Sequence, residues 1–169
     1  MQTPTIGRVM PGYSVPVINE RSVRAAAGIL FLIGAIAWGA AFHTGSAQAL
    51  KPFGVTFMVD MLIRLTAGER WAPSLVLGSF VTRRQAPEWV GAPQKEFAWW
   101  LGLGIAMTSC LAMGFLGAPL PVILSLCGLC LSLLFLETAF GICVGCWLQS
   151  RLSRSAPQHC PGDSCAPEH

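Results

Sequence analysis

The chain is predicted to be an all-α integral membrane bundle of four transmembrane helices, with both termini cytoplasmic and a short interfacial helix between spans two and three. Three observations lead there. Of 169 residues, 53% are hydrophobic and 11% charged, and the mean hydropathy is +0.58, a profile of membrane proteins rather than soluble domains. Four apolar stretches recur along the chain, and about 20 such residues cross a bilayer core. The basic residues gather in alternate connections, which sets an orientation. The length suits one bundle without a separate soluble domain. The net charge of +3 comes without a basic stripe interleaved with aromatics, so no nucleic-acid partner is indicated.

Residues 1–24 form a polar lead-in in which Asn19 is a candidate N-cap, with Glu20 and Arg24 spaced as a surface i, i+4 pair. The first span covers 25–42. Ala47-Gln48-Ala49 after it resembles a signal-peptidase site, but the apolar run and its lead-in are long for a signal peptide, so the segment reads as a retained helix. The second span covers 48–66 and carries Asp60 and Arg64 four residues apart on one face. Charges at that depth pair or line a cavity. A mutual salt bridge near the inner interface is the plainer reading, and pairing of Arg64 with Glu137 is the alternative.

The connection 66–96 is the most basic, with Arg70, Arg83, Arg84 and Lys95, and Pro73 opens a short helix over Ser74–Thr82. The third span covers 97–117 and includes Cys110. Ala118 and Pro119 turn tightly into a fourth span, 120–149, in which the only ionisable groups are Cys127, Cys130, Glu137, Cys143 and Cys146. A Cys- and Pro-rich cytoplasmic tail, 153–169, adds Cys160 and Cys165.

Arg8, Arg21 and Arg24 precede span one, and Arg151 and Arg154 follow span four, while the two opposite connections hold only Lys51. The positive-inside rule therefore places both ends in the cytoplasm. Trp71, Trp89, Trp99, Trp100 and Trp147 fall near the same interface, as an aromatic belt.

Cysteines three apart share a helix face, so Cys127/Cys130 and Cys143/Cys146 form two dithiol pairs. On one continuous helix they lie about 20 Å apart, with Glu137 between them near mid-depth. Cys143 and Cys146 then sit at the cytoplasmic helix end, where Arg151 and Arg154 favour thiolate and the negative helix C-terminus opposes it. Cys110, Cys127 and Cys130 make a candidate second thiol site in the outer half, with packing of small apolar side chains as the plainer reading. Cys143, Cys146, Cys160 and Cys165 are soft ligands with a loose zinc-type spacing.

Asn19-Glu20-x-x-Val-Arg24, Asp60-x-x-x-Arg64, Lys95-x-Phe97-Ala98 and Glu137-x-x-x-Gly141-x-Cys143-x-Gly145-Cys146 together resemble a family of small bacterial four-span membrane proteins of unknown function. The resemblance covers roughly residues 15–150. It implies a multi-pass protein of the bacterial inner membrane, working beside thioredoxin-like or rhodanese-like proteins in thiol or sulfur traffic. Cys127 and Cys130 have no counterpart in it.

Three functions are compatible with these residues. One is a membrane thiol protein that handles reducing equivalents or sulfane sulfur through Cys143 and Cys146, with Glu137 in the site and Asp60 and Arg64 in support. The second is binding or transport of zinc or copper through the four C-terminal cysteines. The third is a structural membrane subunit whose polar residues lock helix packing.

Overall fold

The computed structural model describes residues 6–152. They form six α-helices and one two-stranded antiparallel ribbon. The strands are β1 (Val17–Asn19) and β2 (Trp89–Gly91), paired Val17 to Gly91 and Ile18 to Val90. Each runs straight into a helix, α1 (Glu20–Thr44) and α4 (Ala92–Gly114) respectively. The ribbon therefore holds the first turns of two sequence-distant helices side by side. Asn19 does cap α1: its Oδ1 accepts from the Arg21 amide and from the Glu88 amide, each at 3.2 Å, tying the cap to the second strand's lead-in. Three-residue strands carry too short an alternation to stand out in sequence, and the ribbon was not expected.

A single 3₁₀ turn (Ala47–Ala49) leads into α2 (Leu50–Thr66). The short helix between spans two and three is α3 (Pro73–Thr82), with Pro73 in its first turn. It lies along α1, where the Ser22 and Thr82 hydroxyls share a buried hydrogen bond of 3.1 Å. The chain then continues through α5 (Leu120–Phe135), a π-helical turn (Leu136–Phe140) and α6 (Val144–Leu152). The core is formed mainly by α1, α2, α4 and α5, with Leu30, Phe57, Met61, Leu103 and Leu131 in one cluster. Trp38 of α1 donates to the Leu124 carbonyl of α5 at 2.9 Å.

Three helical segments are long and apolar enough to cross a membrane: Glu20–Thr44, Ala92–Gly114 and Leu120–Phe140. Their outer faces stay apolar, with Leu32, Ile33, Ile36, Met107, Leu111 and Leu129 all exposed. The helix α2, 17 residues long, is shorter and carries Asp60 and Arg64 buried within the bundle.

Two expectations are corrected. The continuous fourth helix over 120–149 is broken after Phe140, so the helical spacing between the two cysteine pairs does not apply. Glu20 and Arg24 do not form a surface pair: Glu20 is 1% exposed and Arg24 turns to the Thr138 carbonyl instead.

Candidate functional site

The break that makes the site is centred on Gly141, with φ 68 and ψ 14, a left-handed conformation that glycine adopts without steric cost. Its amide bonds the Glu137 carbonyl at 3.1 Å, and the Ile142 amide bonds that of Leu136 at 3.2 Å. A side chain here would also meet the Arg24 guanidinium, whose Nη1 lies 3.2 Å from a Cβ built at this position. Arg24 Nη2 donates to the Thr138 carbonyl at 3.1 Å, supplying a partner that a helix end lacks.

Helix α6 then starts afresh, and Cys143 is the residue before its first turn. The Cys146 amide donates to Cys143 Sγ at 3.3 Å, and the Trp147 amide to the Cys143 carbonyl at 3.0 Å. Cys143 thus occupies the N-cap position, with its sulfur receiving the amide three residues on. It is disulfide-bonded to Cys146, with Cα atoms 5.2 Å apart. Gly145 lets α6 press on α4, since a Cβ there would come within 2.6 Å of Ala98. The helix-end electrostatics expected from a continuous span are therefore reversed. The pair sits at the positive start of a helix, which favours thiolate.

Beside it lies a buried ion cluster. Lys95 Nζ is 2.8 Å from Glu137 Oε1, 2.8 Å from Glu20 Oε2 and 3.0 Å from Glu20 Oε1. Lys95 is 2% exposed, so each group depends on the others for solvation. Glu137 is thus not isolated at mid-depth. It is level with the first turns of α1 and α4. Lys95 and Glu20 are the site-forming residues that sequence reasoning missed. The available signal was that both charges stand at the first turn of an apolar helix, on the side to which the basic residues point.

Asp60 and Arg64 form the mutual pair, Arg64 Nε donating to Asp60 Oδ2 at 2.8 Å. The alternative Arg64–Glu137 pairing is not formed. Ser74 completes this second network. Its amide donates to Asp60 Oδ1 at 2.9 Å, its hydroxyl donates to Asp60 Oδ2 at 2.6 Å, and it receives Arg64 Nη2 at 2.6 Å. Asp60 thereby supplies the anion that the start of α3 lacks locally. The Arg64 guanidinium also lies over Trp99, 5.2 Å from the ring centroid. Trp99 is 4% exposed and so does not belong to an interfacial belt. Its buried indole N–H has no acceptor among the described residues.

A small cavity of about 60 Å³ brings the two networks to the disulfide, with Arg64, Trp99, Glu137, Cys130, Cys143 and Gly145 in its wall. Of the second thiol site, Cys130 is buried and free, and Cys110 and Cys127 are half-buried and free. Cys127 neighbours Ser109 and Cys110. Cys130 thus shares a cavity with the disulfide, while Cys127 lies against Ser109 of α4 and Cys110 Sγ faces α2, 2.9 Å from a Cβ built at Gly54. Cys160 and Cys165, needed for the four-cysteine metal site, lie outside the described residues.

Searches of curated proteins and of solved structures return no match to the chain. A model of the family described as a domain of unknown function (DUF4395) matches residues 18–154. That match takes in all six helices, both ion networks and the thiol pair, and the chain belongs to this family.

Proposed function

We propose that the chain is a multi-pass protein of the bacterial inner membrane whose Cys143/Cys146 pair passes reducing equivalents, or sulfane sulfur, to or from a thioredoxin-like or rhodanese-like partner. The observation that carries this is the position of Cys143 as the sulfur cap of α6, joined to Cys146. In the reduced form, amide donation and the helix start stabilise the Cys143 thiolate. That thiolate attacks one sulfur of a partner disulfide, and the other partner sulfur leaves as thiolate. Cys146, once deprotonated, attacks Cys143 Sγ in the mixed disulfide and releases the second partner thiolate. Two electrons move to the partner and one disulfide is left on the chain. With a persulfide donor, Cys143 takes the outer sulfur and frees the donor thiolate. Cys146 then closes the disulfide and expels hydrosulfide.

Glu137 shares the cavity wall with Cys143 and is assigned to exchange protons with the thiol pair. Asp60 and Arg64 act by holding the wall. The fixed cap position of Cys143 favours exchange over zinc or copper binding, whose remaining ligands would be the loosely spaced Cys160 and Cys165.

Exchange is tested with the full chain in lipid nanodiscs, incubated with a reduced thioredoxin-type dithiol. The expected result is two new alkylatable thiols per chain, at Cys143 and Cys146, and none when Cys143→Ser is used. An unchanged thiol count after excess dithiol contradicts the proposal.

The membrane reading has α2 as a fourth crossing, completed by the 3₁₀ turn before it, with both termini cytoplasmic. A reporter fused after His169 is expected in the cytoplasm, and one inserted at Gly45 on the other side. A C-terminal reporter found outside reverses the sidedness of the thiol pair.

A further inference from the structure

A second concavity, of about 520 Å³, shares no lining residue with the thiol cavity. It lies between the ribbon, the start of α1 and one side of α3. Three arginines line it, Arg8, Arg70 and Arg83, with one acid, Glu69. Glu69 is engaged by Arg8 at 3.3 Å. Three positive charges less one negative leave +2 for the lining. The surplus belongs to Arg70 and Arg83, which form no ion pair among the described residues. Arg83 is held over the Phe80 ring, 4.4 Å from its centroid, a stacking that fixes its guanidinium without neutralising it.

The hollow continues into an apolar surface. Val76 belongs to its lining, and Leu77, Phe80 and Val81 of the same helix are exposed. Trp71, at the start of α3, is 73% exposed. A cationic recess that opens onto an exposed aliphatic helix face matches an amphiphile with an anionic head. A soluble anion would leave the α3 face uncovered, and a zwitterionic lipid would not satisfy the uncompensated charge.

We propose that this groove binds an anionic glycerophospholipid, its phosphate drawn into the recess by the surplus charge of Arg70 and Arg83 and an acyl chain along the outer face of α3. Guanidinium groups suit phosphate oxygens through paired N–H donors, and a negatively charged leaflet supplies such lipids. The inference rests on the membrane reading, not on the thiol chemistry. The lipid ties α3 to the bilayer beside the start of α1.

The test uses the full chain reconstituted in mixed vesicles and extracted with its bound lipid for native mass spectrometry. Phosphatidylglycerol is expected to be retained over phosphatidylcholine by about thirtyfold, from the attraction of two arginines. The preference is expected to vanish in Arg70→Gln/Arg83→Gln, whose circular dichroism and unfolding in phosphatidylcholine stay those of the parent. Inorganic phosphate and glycerol phosphate should not displace the lipid. Equal retention of the two lipids, or a double variant that keeps the preference, overturns the proposal. Displacement by glycerol phosphate overturns the acyl-chain contact and leaves a site for soluble phosphates. A chain that fails to insert into vesicles overturns the membrane reading itself, whereas insertion without lipid preference overturns only this inference.

Discussion

Lys95→Met is expected to lower the unfolding free energy of the detergent-solubilised protein by about 3–5 kcal/mol, the usual cost of breaking a buried ion pair from one side. Methionine preserves the length and apolar stem of the side chain, so lost packing contributes little. What disappears is the ammonium group within 3.0 Å of both Glu20 and Glu137. Two carboxylates then remain together at the ends of apolar helices, with Glu20 fully enclosed. They must take up protons or open the structure. The triple variant Glu20→Gln/Lys95→Met/Glu137→Gln should recover most of the loss, since it removes the uncompensated charge. Unfolding followed by circular dichroism checks both. A single variant within about 1 kcal/mol of the parent, below the usual range for such a change, would mean that the cluster does not hold the helices.

Asp60→Leu is the second large effect, again about 3–5 kcal/mol. This carboxylate accepts from Arg64 Nε, from the Ser74 hydroxyl and from the Ser74 amide. Its removal strands a guanidinium that is 2% exposed and releases the first turn of α3 from α2. Arg64→Met added to Asp60→Leu should restore part of the stability, because no buried charge is then left alone. Local opening should follow the same order: hydrogen exchange at the start of α3 is expected to accelerate in Asp60→Leu before it does in Lys95→Met. Equal protection of α3 in both would separate Asp60 from the anchoring role.

The helices were legible in the sequence because long apolar runs have few alternatives, and the Asp60–Arg64 pair because four residues is one helical step. The short helix was marked by Pro73. The ion cluster was not legible. Glu20 and Lys95 are 75 positions apart, and only the ribbon between Val17–Asn19 and Trp89–Gly91 makes them neighbours. Local spacing instead suggested an exposed Glu20–Arg24 pair. The helix break was hidden by composition: Leu136 to Leu148 stays mostly apolar on either side of Gly141, so hydropathy runs through the point where the backbone turns. Gly141 was noted as part of a motif, but its role as a helix stop needed the left-handed backbone to be seen. That stop decides which end of a helix the cysteine pair occupies. The same Cys-x-x-Cys read as a helix C-terminus would have its thiolates opposed by the dipole, whereas at the start of α6 they are favoured.

The most direct measurement identifies which sulfur attacks. The full chain carrying Cys146→Ser, reduced and then exposed in its membrane to an oxidised thioredoxin-type protein, should accumulate a mixed disulfide. Peptide mass spectrometry should place that bond on Cys143. Cys143→Ser under the same conditions should trap far less, since Cys146 lacks the cap position. A stable adduct on Cys146 in preference to Cys143, or no adduct in either variant, would contradict a thiol-exchange site built on the start of α6.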